Sequence, residues 1–159
     1  AAGDSAFRYA GDAKSGMGGD RGSKRDSARM TERLFHMIRG AATPVAPYSH
    51  AVEVDGFVFL TGQIPNLPGD DEAPLPAGIE AQTRRTMDNL VLVLGGLGLG
   101  LEHVVSVRVF LTRFESDYAP MNAVYRGYFP ADRLPARTCV GVTGLARGAL
   151  IEIDFVARR

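Results

Sequence analysis

The stretch HAVEVDGFVFLTGQ, residues 50–63, decides the architecture. Apolar residues alternate on both sides of Asp55-Gly56, a dipeptide suited to a two-residue hairpin, so strands are expected over 50–54 and 57–63. The second strand is apolar on both sides, with Phe57 and Phe59 pointing one way and Val58 and Leu60 the other. Upstream, residues 34–38 read as a short first strand. Downstream, Pro65, Pro68, Gly69, Pro74, Pro76 and Gly78 mark residues 65–78 as a loop. A long helix is expected over 79–97, with Ile79, Thr83, Thr86, Leu90, Val93, Leu94 and Leu97 on one side. Residues 104–111 read as a strand. Ser116 or Asp117 is positioned to cap a second helix with Pro120 in its first turn and Met121, Val124, Tyr125 and Tyr128 as its buried stripe; Pro130 ends it. Strands over 138–142 and 150–156 close the chain.

The order is therefore strands, helix, strand, helix, two strands. Each helix is a crossover between strands, and right-handed crossovers put both on one face of a sheet. The other face is left bare. Val58 and Leu60 are assigned to it, and a bare apolar face calls for a partner, so a homo-oligomer is expected.

Length and composition agree with a single folded domain. The chain has 159 residues, 45% of them hydrophobic and 23% charged, enough for a real core. Eighteen basic residues balance eighteen acidic ones, leaving no field to gather nucleic acid or coat a membrane. One cysteine excludes an internal disulfide and a multi-cysteine zinc site. No apolar run reaches the roughly 18 residues of a membrane span, and a cytoplasmic location is expected. Lys14 and Lys24 are the only lysines, so Schiff-base chemistry and a phosphate-loop lysine are disfavoured beyond residue 30. Residues 1–30 show no 2.0 or 3.6 periodicity and read as a disordered tail or extension, with the domain over 31–159. A transit peptide is the alternative, but Asp4, Asp12, Asp20 and Asp26 spoil its acid-poor pattern.

Several motifs have plain explanations. The run from Gly95 to Gly100 lacks phosphate-loop spacing and ends a helix, where glycine serves as a cap. His36, His50 and His103 have no metal-type spacing, and neither Ser49 nor Ser106 stands in a nucleophile elbow. Cys139 is either a small buried hydrophobe or part of a site wall. Arg137 enters a strand and shares a face with Cys139 and Gly141; its guanidinium either snorkels at the strand end or grips a carboxylate with its fork. Glu152 and Asp154 share one face of the last strand, which is unusual unless that face is wet or binds something. Tyr48 offers a hydroxyl just before a strand.

Taken together, the segments resemble a known family. PVAPYSHA (44–51), FVFLTGQIP (57–65), Gln82-Thr83 with Asn89-Leu90, VFL (109–111), MNAVY (121–125), PARTCVGV (135–142) and LIEID (150–154) follow one another as in the Rid, or YjgF/RidA, proteins. The resemblance spans about residues 41–159. It implies a chorismate-mutase-like α+β fold, a mixed sheet with two helices on one face, assembled as a homotrimer with ligand sites between subunits. It further implies hydrolysis of 2-aminoacrylate and related enamines or imines to 2-oxo acids and ammonia, as a 2-iminobutanoate/2-iminopropanoate deaminase-like hydrolase needing no cofactor and no metal. Arg137 falls on the family arginine that binds the substrate carboxylate, and Glu152 on the glutamate that orients or activates water. Tyr48, Gly62, Asn122 and Cys139 match pocket-lining positions. Two departures stand out: Ala46 replaces a common glycine, and His50 stands where glutamine is usual and is expected to alter the pocket rim. Competing readings are a ligand-binding or regulatory trimer, and an endoribonuclease or translation inhibitor. The neutral charge and lack of paired histidines weigh against the latter.

Overall fold

In the computed structural model, residues 32–159 are described; the tail expected over 1–30 lies outside them. The hairpin forms as the sequence indicates. Strands β2 (Ala51–Val54) and β3 (Phe57–Gln63) pair antiparallel with Val54 opposite Phe57, leaving Asp55 and Gly56 as a two-residue loop. Both loop residues have positive φ, 52° and 75°, the geometry that matches the twist of the flanking strands. The short β1 (Leu34–His36) adds to the outer edge of β2.

Helix α1 (Ile79–Gly96) follows, then β4 (Val104–Leu111), α2 (Phe114–Tyr125), β5 (Ala136–Gly141) and β6 (Ile151–Arg158). The strands make one sheet in the order β1-β2-β3-β6-β4-β5, parallel between β4 and β5 and antiparallel elsewhere. The last strand thus inserts between β3 and β4. The result is a mixed α+β sheet with both helices against one face. Every residue proposed for the α1 stripe is buried, and Met87 joins it. Facing them are Val58, Leu60, Val107, Val109, Leu111, Ile151, Ile153 and Phe155, each buried.

Two expectations are corrected. Val58 and Leu60, assigned to the bare face, turn toward the helices at 0% and 5% exposure; the open face instead carries Phe57 and Phe59, the latter 47% exposed. Pairing decides this: Leu60 sits opposite Phe155 and Val58 opposite Ala157, both inward-facing. Helix α2 begins at Phe114 with Arg113 as its cap, so Ser116 and Asp117 lie inside its first turn and Pro120 in its interior. Tertiary packing overrides the capping signal. Phe114 stacks on Tyr118 at 5.0 Å and packs over Gly141 of β5, which draws the extra residues into the helix. Past Tyr125 the chain tightens into a 3-10 turn through Tyr128, so the α-helix ends well before Pro130.

Two buried amides of α1 fix the loops that frame the site. Asn89 donates to the carbonyls of Ile64 and Asn66 at 3.0 and 2.9 Å, holding the exit from β3. Gln82 donates to the Pro76 carbonyl and accepts the Leu150 N–H, holding the entry to β6. His50 does similar work and is no rim residue. It is 3% exposed; Nδ1 accepts the Ile38 N–H at 2.8 Å and Nε2 donates to the Ala42 carbonyl at 2.9 Å, which fixes one neutral tautomer. No helix among the described residues is long and apolar enough to cross a membrane.

Candidate active site

The proposed site residues fall into two groups on opposite faces of the sheet. Arg137 pairs with Val107 of β4 and shares the helix-side face with Val107 and Val109. Glu152 pairs with Phe110, and its neighbours Ile151 and Ile153 point inward, so its own side chain stands on the open face.

The helix-side group is a cleft of about 350 Å³ lined by Asn122, Tyr125, Arg126, Leu134, Pro135 and Arg137. No carboxylate lines it. Neither guanidinium makes an ion pair or side-chain hydrogen bond among the described residues. Arg137 grips no carboxylate of the described residues. Its guanidinium carbon lies 4.7 Å from the centroid of the Tyr125 ring, a cation–π contact. Asn122 and Tyr125 are three residues apart on α2 and therefore share a helix face toward β5. The sequence stripe placed Tyr125 in the core without recognising it as a site wall, although that three-residue spacing from Asn122 was the available signal. Cys139, two residues beyond Arg137, is half-buried against the core and does not line the cleft. Burial pushes its thiol up in pKa, while the Arg137 charge acts in the opposite direction.

The open-face group centres on Gly62 and Glu152. A bulge in β3 makes this contact: Leu60 pairs with Phe155 but Gln63 with Ile153, so Thr61 and Gly62 together oppose Asp154. The Gly62 backbone then approaches Glu152 so closely that a Cβ there would stand 2.9 Å from Cδ and 3.1 Å from Cγ. Only glycine leaves the carboxylate in place. Burial raises the pKa of Glu152, and the nearby Asp154 charge raises it further. Asp154 itself is held by Arg108, whose Nε lies 3.0 Å from both carboxylate oxygens and whose Nη2 lies 2.7 Å from Oδ2. Asp154 is thus committed to an ion pair, whereas Glu152 makes no ion pair among the described residues. The loop carrying Tyr48 is tied to the bulge of this group. The Thr61 hydroxyl donates to the Ser49 carbonyl at 2.7 Å, tying the Tyr48 loop to the bulge, while the Val45 N–H donates to the Tyr48 hydroxyl.

Residues 39–159 match the family model described as Endoribonuclease L-PSP. A RutC family protein of Synechocystis is 40% identical over 128 residues, covering 80% of this chain and 97% of that protein. An Escherichia coli protein named 2-iminobutanoate/2-iminopropanoate deaminase is 33% identical over 121 residues, covering 75% and 92%. Among solved structures, yeast Mmf1 superimposes with a TM-score of 0.73 at 30% identity, covering 80% of this chain and 99% of that one. Escherichia coli TdcF with bound serine gives 0.69 at 30% identity, covering 77% and 98%. With that family model matched over most of the chain and relatives of this identity and coverage, the chain belongs to the Rid family, also called YjgF, RidA or RutC proteins.

Proposed function

We propose that the protein hydrolyses 2-imino and 2-enamino acids of the 2-iminopropanoate/2-aminoacrylate type to 2-oxo acids and ammonia, as a cytoplasmic homotrimer with its sites between subunits. The observation that carries this reading is Arg137: an unpaired guanidinium in an acid-free cleft is suited to a carboxylate. The relative named as an imine deaminase supports the same reaction. So does serine in TdcF, which presents a carboxylate beside a C2 nitrogen as a 2-imino acid does.

The sheet separates the anchor from the base, so one chain does not complete the site. Packing the open face of one copy, with Phe59 and Val140 exposed on it, against the Arg137 cleft of another would bring Glu152 to the anchored substrate. Arg137 then holds the carboxylate through two N–H groups. An enamine first takes a proton at C3 to become the imine. Glu152 removes a proton from water, whose oxygen attacks C2 to give a carbinolamine. The proton passes to nitrogen, the C–N bond breaks, ammonia leaves and the C2 carbonyl forms. Because an iminium carbon is already electrophilic, positioning and one proton carrier suffice.

The test is complementation. Arg137→Ala and Glu152→Gln chains should each be nearly inactive alone toward imine generated in situ. Co-expressed in equal amounts, they should regain about a quarter of wild-type activity, since one in four subunit orders restores both groups to one site. No recovery in a stable mixed oligomer would place both groups in one chain's site. Wild-type protein that binds pyruvate without hydrolysing imine would be a binding protein. Salt-dependent cleavage of RNA in place of imine turnover would favour the endoribonuclease reading.

A further inference from the structure

An arginine that anchors a ligand must be held without occupying its donors. A carboxylate beneath Arg137 would satisfy the fork and compete with any incoming anion. The structure supplies an aromatic face instead. We propose that Tyr125 is the positioning residue for Arg137: its ring holds the guanidinium plane from one side and leaves the N–H edge open to the ligand carboxylate. This rests on the reading of Arg137 as the anchor.

The assignment rests on contact, packing and charge. The guanidinium carbon is 4.7 Å from the ring centroid, within the roughly 6 Å over which the ring quadrupole attracts a cation. The platform is rooted in the core: Tyr125 packs on Phe129 at 5.3 Å, and Phe129 meets Phe155, 1% exposed, edge-on at 6.4 Å. The ring also stays neutral. Burial pushes the phenol up to about 12, so no phenolate forms to pair with the guanidinium near neutral pH. The hydroxyl is itself buried without a hydrogen-bond partner, so the ring face, and not the oxygen, is what Arg137 uses. Asn122, one helical turn earlier, lines the cleft from the same face, so one segment presents both an amide and the arginine's platform.

Graded fluorination tests this, because it drains the ring quadrupole while nearly preserving shape. Pyruvate binding is measured by calorimetry on the full chain carrying Tyr125→Phe, and on the same chain with progressively fluorinated phenylalanine at 125. Tyr125→Phe should bind within about twofold of wild type, and the pentafluoro ring about tenfold more weakly than phenylalanine, with unfolding temperature and oligomer mass unchanged. Tyr125→Leu, which keeps bulk without a ring, should show the same loss, and kcat/KM should follow the affinity in each case. If the fluorinated and leucine variants bind pyruvate as tightly as Tyr125→Phe while Arg137→Ala binds poorly, the platform is refuted and the anchor stands. If Arg137→Ala binds pyruvate like wild type, the anchor itself is refuted.

Discussion

Replacing Gly62 by alanine moves one carboxylate without removing any functional group. A Cβ at position 62 would stand 2.9 Å from Glu152 Cδ and 3.1 Å from Cγ, whereas carbon atoms settle at about 3.5–4.0 Å. The backbone of the bulge is held by the Thr61 bonds to Ser49 and His50, so the side chain of Glu152 gives way. Oε1, the nearest carboxylate atom, overlaps that Cβ more deeply than either carbon, so the carboxylate must move by about 1 Å or more. A misplacement of about 1 Å costs on the order of 10²-fold in rate, or about 2.7 kcal/mol. Gly62 has no positive φ, so alanine brings no backbone strain, and the displaced carboxylate relaxes toward solvent. The expected result is kcat lower by roughly 10²-fold with pyruvate affinity changed by less than about threefold. In a Glu152→Gln background the same alanine should add little, because the two changes act through one atom group. A Gly62→Ala protein with wild-type kcat would show that the close approach has no part in catalysis. An equal loss in both backgrounds would show that the methyl group acts by blocking the cleft.

The remaining predictions concern single side chains. Glu152→Gln should lower kcat by roughly 10²–10⁴-fold with little change in pyruvate affinity. Its stability profile should also change. Burial, then the Asp154 charge, raise the folded-state pKa of Glu152, so its ionised form opposes folding above that pKa and the penalty disappears as pH falls toward the ordinary glutamate range. The variant should therefore melt no lower than wild type at neutral pH, and the difference should shrink in acid. Glu53, lowered chiefly by its hydrogen bonds from Arg159, has the opposite sign and should account for stability lost as pH falls through its depressed pKa, a loss that Glu53→Gln should abolish. Arg137→Lys keeps the charge but loses the planar fork, and kcat/KM should fall at least about tenfold at unchanged melting temperature. His50→Ala leaves the Ile38 N–H and Ala42 carbonyl without partners at a cost of about 2–4 kcal/mol, and His50→Gln, whose amide can both accept and donate, should recover most of it in a denaturant titration.

Local chemistry made much of the fold legible. The Asp55-Gly56 turn and the flanking alternation located the hairpin, and the spacing from Ile79 to Leu97 located α1 and its buried side. Elements whose limits depend on distant partners were less accessible. Ser116 and Asp117 are good caps in isolation, yet Phe114 finds Tyr118 and Gly141 and the helix starts earlier. His50 carries no local sign that both ring nitrogens are used by backbone groups of the 38–42 segment. The same limit explains Val58 and Leu60. A strand that is apolar on both sides gives no preference for either face until its neighbours are known, and here the inserted β6 supplies them through Phe155 and Ala157.

The site shows the same limit in a sharper form. Alternation within a strand is readable: Arg137 with Cys139, Glu152 with Asp154. The relation between strands is not, because it depends on register. Arg137 stands opposite Val107 and Glu152 opposite Phe110, three positions apart on β4. An odd separation puts two residues on opposite faces. Had the register of either outer strand slipped by one, both groups would face the same side and one chain could hold the whole site. The bulge at Thr61-Gly62 lies on the β3 side of β6 and leaves this parity untouched; it only brings the Gly62 backbone to the Glu152 carboxylate. The pairing of β4 with β5 and β6 therefore makes a definite demand on assembly. Within a single copy the Arg137 and Glu152 side chains stand on opposite faces of the sheet. Any arrangement in which the two act on one molecule must bring a second copy's open face to the first copy's cleft, and mixed oligomers of the two inactive variants measure that directly.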